Sequence, residues 1–116
     1  MVQLAKLEVR LAGDFNQIIE DIDNEVLSAS ISANIEDYSD FSIGQNRCSV
    51  RVFERYSYLG QNRVSMNVTL FQSDEEILLS VISSGGSQAV FFKVNTFGEE
   101  AFLDTIRPVI DKYRLE

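Results

Sequence analysis

Arginines and aromatic rings interleaved on alternating segments carry the clearest chemistry in this chain. Arg51, Phe53 and Arg55 stand at every second position, and Arg63 and Phe71 bracket the next alternating segment. Alternate residues of a β-strand share a face. A sheet face bearing guanidinium groups and aromatic rings suits phosphate contact and base stacking. Lys6, Arg10, Arg47 and Lys93 could join it, with Ser49, Ser65, Asn67 and Thr69 between them. The same residue types also make an ordinary outward sheet surface or a homodimer contact. A Phe53–Phe71 pair across a hairpin would stabilise a sheet by itself.

A second constellation is Glu54 with Tyr56 and Tyr58, a carboxylate and two phenols in one phase. If that phase faces the core, Glu54 is costly unless paired, because burial disfavours the charged form. A cavity between sheet and helices, receiving a small ligand at Glu54, Tyr56 and Tyr58, answers the problem. A bulge near Phe53 that turns Glu54 outward, or an arginine partner at the sheet edge, answers it as well.

Much other chemistry is missing from the sequence. There is no histidine, which removes the usual general base and the commonest transition-metal ligand. The single Cys48 can form neither an internal disulfide nor a cysteine-rich zinc site. In phase with Val50 and Val52, it reads as a buried, inert thiol. No dinucleotide or Walker-type glycine loop occurs. Gly85-Gly86-Ser87 reads as a turn before it reads as an anion cradle. The acids Glu36, Asp37 and Asp40, and the run Asp74-Glu75-Glu76, lack the spacing of a calcium loop. No catalytic residue, metal ligand or cofactor is therefore assigned, and an enzyme is not indicated.

The elements that must position these residues follow from hydrophobic period. Lys6 to Ala12 alternates, with Leu7, Val9 and Leu11 on one face. Asp14, three residues before Gln17, opens a helix over 14–28 whose stripe is Phe15, Ile18, Ile19, Ile22, Val26 and Leu27. Ser30 to Ile43 alternates in a phase interrupted near Asp37, so a bulged or broken strand is expected. Gly44, Gln45 and Asn46 make a turn. Arg47 to Tyr58 and Arg63 to Gln72 form a hairpin. Glu76 to Ser84 is a further strand, and Gln88 to Val94 a final short one. A second helix starts at Thr96, carries Ala101, Phe102, Ile106, Val109, Ile110 and Tyr113 inward, and is expected to kink at Pro108.

The hairpin register decides which residues face out. A three-residue loop, Gly60-Gln61-Asn62, sets Tyr58 against Val64 and Val52 against Leu70. Arg51, Phe53 and Arg55 then point outward and Glu54 inward. A two-residue loop, Gly60-Gln61, would put Arg55 opposite Met66. The three-residue register is preferred, because it aligns Val50 and Val52 with Val68 and Leu70. The expected core is Leu7, Val9, Ile18, Ile22, Val52, Val68, Leu70, Phe102 and Ile106.

The assembly is one α+β domain over residues 1–116. It is an antiparallel sheet of five or six strands with two helices on one face, in the order β-α-β(4–5)-α. It resembles the TATA-binding-protein-like and helix-grip topologies. Three segments also resemble an uncharacterised bacterial family, a domain of unknown function. They are Glu54-Arg55-Tyr56-Ser57-Tyr58 running to Asn62-Arg63-Val64-Ser65, then Ser84-Gly85-Gly86-Ser87, then Asn95-Thr96-Phe97-Gly98-Glu99-Glu100. The likeness covers most of the chain from about Ile31 onward. It implies a complete single-domain protein and no catalytic residues.

Charge bounds the partners. Ten basic against eighteen acidic residues give a formal charge of −8, which disfavours nucleic acid and anionic membrane and favours solubility. No apolar run nears the ~20 residues that span a bilayer. The first residues lack the apolar stretch of a signal peptide, so the cytoplasm is the default. The expected function is a small cytoplasmic binding or interaction protein, using its sheet face for self-association or an anionic partner. The alternative is a helix-grip-like carrier or sensor with a small-molecule cavity near Glu54, Tyr56 and Tyr58.

Overall fold

Five antiparallel strands form one sheet in the order β1-β5-β4-β3-β2. They are β1 (Leu4–Leu11), β2 (Asn34–Ile43), β3 (Asn46–Ser57), β4 (Asn62–Ser73) and β5 (Glu76–Gly85). The computed structural model describes residues 4–57, 62–85 and 100–115. The expected strand at Gln88 to Val94, the Thr96 cap, Tyr58 and Lys93 lie outside the described residues.

β1 and β2 are consecutive strands, yet they occupy opposite edges of the sheet. The connection between them, which contains α1 (Phe15–Ser28), must cross the sheet and also return along it, because Leu11 lies in the row of Arg47 and Asn34 in that of Glu54. α1 makes the return alongside β3: Asn16 near its start bonds to Arg47, and Asp23 in its second half to Arg51. Asp14 caps α1 as its spacing predicts, its carboxylate accepting from the Gln17 N–H at 2.9 Å. Before it, Gly13 turns the chain at φ 149°. A Cβ there would come within 2.8 Å of the Tyr113 ring, so the close approach requires glycine.

The closing helix is interrupted. Residues 100–104 are helical (α2), residues 105 and 106 turn, and α3 (Arg107–Tyr113) resumes. A kink within one helix was the expectation; the chain stops and restarts instead. Pro108 falls in the first turn of α3, where its missing N–H has no partner to lose. The chain then lies along β1: Ala12 N–H donates to the Tyr113 carbonyl at 2.8 Å and Leu115 N–H to the Arg10 carbonyl at 3.1 Å.

Both helical regions pack on one face, over a single core. Ile18, Ile22 and Val26 of α1 meet Phe102, Ile106 and Ile110 above Met66, Val68, Leu70, Leu79 and Val81. The bulge expected near Asp37 is present, as a register shift between Ile35 and Asp37. Ile31 lies before β2 and is wholly exposed.

The β3–β4 register corrects the sequence expectation. Ser57 pairs with Asn62, Arg55 with Val64, Phe53 with Met66 and Arg51 with Val68. Four residues, 58–61, separate Ser57 from Asn62, so the three-residue loop is wrong and every β3 side chain changes face. Arg51, Phe53 and Arg55 point toward the helices. Glu54, Val52 and Cys48 point away from them. Val52 is therefore only half-buried and lies outside the core; Leu7 and Val9 are partly buried at its margin. The other six expected core residues are buried.

Candidate functional site

The inward turn of β3 buries an arginine. Arg51 is 9 % exposed. Its Nε donates to Asp23 of α1 at 3.2 Å, and its Nη1 to Asp40 of β2 at 3.0 Å and to Ser49 Oγ at 2.9 Å. Ser49 in turn donates to Asp40 Oδ1. Burial works against the Arg51 charge, but the two carboxylates outweigh it and raise its pKa. This cluster ties three elements together. It matters because β2 supplies little to the core beyond partly buried Ile35.

Arg47 also lies inward, over the Phe15 ring at 4.2 Å, and its Nη2 donates to Asn16 Oδ1 at 2.6 Å. With Arg51, Asp40 and Ser49 it lines a cleft of about 270 Å³ between the start of α1 and the β2–β3 hairpin. Ligand pockets usually occupy ~300–1,000 Å³. The Arg51 guanidinium here is already committed to Asp23 and Asp40. Arg55 lies over the Phe102 ring at 4.9 Å, and burial lowers its pKa.

These positions dismantle the basic, aromatic outer face. Arg47, Arg51, Phe53 and Arg55 all face the helices. Phe53 is fully buried, whereas Phe71 lies on the other face opposite Cys48. The basic residues that do face outward are paired: Arg63 with Glu54 at 2.9 Å, Lys6 with Glu8 at 3.8 Å and Arg10 with Glu76 at 3.9 Å. The carrier geometry is overturned as well, since Glu54 and Tyr56 lie on the outer face and Glu54 has an arginine partner. Cys48 is half-buried on that face rather than in the core; desolvation, with Asp40 nearby, raises its pKa and keeps it a thiol.

What the outer face carries instead is an apolar band across the strands. The registers align Arg10, Leu78, Phe71, Cys48 and Phe41 in one row from β1 to β2. Ile43 extends it at the Phe41 end, and Ile82 lies two rows away, beyond Ser80, Thr69 and Val50. Phe41 is 55 % exposed, Ile43 79 % and Leu78 45 %. Among the described residues, no helix lies on this side. A shallow depression of about 220 Å³ sits over the Phe41, Cys48 and Phe71 end of the band. Leu78 and Ile82 are out of phase with Leu79 and Val81, so the alternation contains the signal. Four aliphatics on both faces of one strand read as burial on both faces, however, whereas Leu78 and Ile82 are exposed.

The sequence model of one family matches residues 4–114. The chain belongs to the family of unknown function DUF6054. A crystal structure of Pseudomonas aeruginosa PA94, a protein of unknown function described as a candidate regulator, is similar to this DUF6054 chain. The TM-score is 0.52 at 7 % identity, over 97 % of this chain and 79 % of that one. At that identity the likeness is one of fold. No curated protein matches the DUF6054 chain. No described helix is long and apolar enough to cross a membrane. No cluster of metal-ligating side chains occurs among the described residues.

Two carboxylates of this DUF6054 domain couple its stability to pH. The Ser49 hydroxyl, then Arg51, holds the Asp40 carboxyl below its usual value. The Tyr113 hydroxyl, followed by Gln17 and Lys112, does the same for Asp21. A depressed folded-state pKa stabilises the fold above the unfolded value of 3.8 and is lost as pH falls through the folded one. The urea midpoint is therefore expected to hold from neutrality to about pH 5 and to fall below about pH 4. Asp40→Asn should flatten part of that fall. A midpoint unchanged down to about pH 2 would contradict these hydrogen bonds.

Proposed function

We propose that this domain is a non-enzymatic interaction protein whose outer sheet face binds a second copy of itself. The observation that carries the reading is the exposed apolar band of Leu78, Phe71, Cys48 and Phe41 on a face that no described helix covers. Contiguous exposed apolar surface of this kind marks an interaction site. The eight rows shared by all five strands present a projected face of roughly 600 Å². Side-chain relief raises the accessible area above that figure, toward the ~800 Å² per partner of a stable interface. The inward placement of Arg47, Arg51 and Arg55 takes support away from an anionic partner. A single cysteine, Cys48, supports a cytoplasmic setting.

Association by sheet edges has less support. β2 carries Glu36, Asp37 and Asp40 and a bulge, the devices that blunt an edge, and β1 is flanked by the chain end at Arg114 and Leu115. Sedimentation velocity through the micromolar range tests the reading. The wild-type chain is expected to run at twice the chain mass, and Phe71→Glu and Leu78→Glu to run as folded monomers. A wild-type protein that stays monomeric throughout that range would end the proposal.

A further inference from the structure

The two halves of the outer face are complementary to each other. We infer that two copies pack face to face about a twofold axis running along β4, with Lys6 of each copy paired to Asp37 of the other. This rests on the self-association reading above. β4 is the middle strand of five, so rotation about an axis along it lays β1 over β2 and β5 over β3 of the partner subunit. The rows across the sheet are preserved.

Each row then meets its own reverse. One row runs Lys6, Ile82, Asn67, Val52, Asp37. Reversed, it sets Lys6 against Asp37 of the partner subunit and Ile82 against Val52 of the partner subunit. On the axis, Asn67 meets the partner's Asn67, two amides able to exchange hydrogen bonds. The apolar row sets Phe71 on the axis, Leu78 against Cys48 of the partner subunit, and the Arg10 guanidinium over Phe41 of the partner subunit, a cation–π contact. The row between them brings Thr69 to the partner's Thr69 and Glu8 to the partner's Ser39. Val50 against the partner's Ser80 is its one unmatched pair.

The perpendicular axis fails the same comparison. A twofold across the strands keeps each strand over itself and reverses the rows. It would bring Arg10 against the partner's Lys6, Phe41 against the partner's Asp37 and Phe71 against the partner's Asn67. Like charges juxtaposed at an interface oppose association.

The charges at the row ends are available. Asp37 forms no ion pair among the described residues, and its Oδ1 accepts only from the adjacent Tyr38 N–H at 2.8 Å. The Lys6–Glu8 contact, at 3.8 Å and well exposed, holds Lys6 weakly. Packed sheets lie about 10 Å apart. An extended lysine facing an aspartate spans that gap.

A charge exchange tests the register. Lys6→Asp and Asp37→Lys are each expected to weaken self-association by about tenfold or more, since each creates two like-charge contacts per dimer. An equimolar mixture of these two variants is expected to form a heterodimer near wild-type affinity, because both of its contacts are then oppositely charged. The double variant Lys6→Asp/Asp37→Lys is expected to recover likewise. A mixture no stronger than either variant alone would overturn the register. So would single variants that associate as the wild type does while Phe71→Glu is monomeric, an outcome that leaves the face as the contact. A wild-type monomer overturns register and face together. Far-ultraviolet circular dichroism of each variant confirms that weakened association is not loss of fold.

Discussion

Phe53→Ala is expected to remove about 3–5 kcal/mol of folding stability, the range for truncating a fully buried aromatic side chain. Phe53 has no exposed surface and is among the largest side chains sealed in the core. It stands opposite Met66 on β4 and Ile35 on β2, so its ring is the main apolar link between the central strands and the β2 edge. Truncation would leave a cavity that paired backbone on both sides keeps from collapsing. Val52→Ala, one residue away on the outer face, should cost only about 1 kcal/mol, because its side chain is half-buried. The contrast is measured by urea denaturation of the two variants. The reverse order, with Val52 the costly one, would restore the three-residue loop and turn Arg51 outward.

Arg51→Glu is expected to cost at least about 3–5 kcal/mol, as when a buried pair loses one partner. The replacement would set a third carboxylate between Asp23 and Asp40 and leave the Ser49 hydroxyl to bridge like charges. Under the outward register the same change would have left stability almost untouched. Arg51→Met keeps most of the apolar stem while removing the charge, and so should cost less. Arg63→Glu is the surface control: Arg63 pairs with Glu54 but its side chain is 55 % exposed, and a far smaller loss is expected. Thermal and urea unfolding of the three variants give the ranking. Equal losses for Arg51→Glu and Arg63→Glu would mean that the Arg51 cluster does not hold α1, β2 and β3 together.

The two readings of β3 show where inference along the chain runs out. Both of its faces carried credible inward residues, Cys48, Val50 and Val52 on one and Phe53 on the other. Local alternation ranks three small aliphatic or thiol side chains above one phenylalanine flanked by arginines. That ranking assumes a charged residue cannot be buried. Asp23, far away on α1, and Asp40 across the ladder remove the assumption by compensating Arg51. The candidate arginine site and the Glu54 cavity both descended from that one parity choice, and both fell with it. Phe71 survived as an outward residue because it is out of phase with Met66, Val68 and Leu70 on its own strand, whatever the loop length.

Elements whose period is internal were legible directly. The α1 stripe apart from exposed Leu27, its Asp14 cap, the β2 bulge, the turn at Gly44 and the α+β class all depend on residues within a turn or two of one another. Their physics is side-chain direction and nearby hydrogen-bond partners, and a linear sequence contains both. Register between strands, the partners of buried arginines and the continuity of an apolar row across the sheet are different in kind. Each joins residues from separate strands or helices, and the spacing of a loop, not any residue within it, sets which ones meet. Only the tertiary structure therefore decided that β3 turns its arginines inward and that Leu78, Phe71, Cys48 and Phe41 form one exposed band.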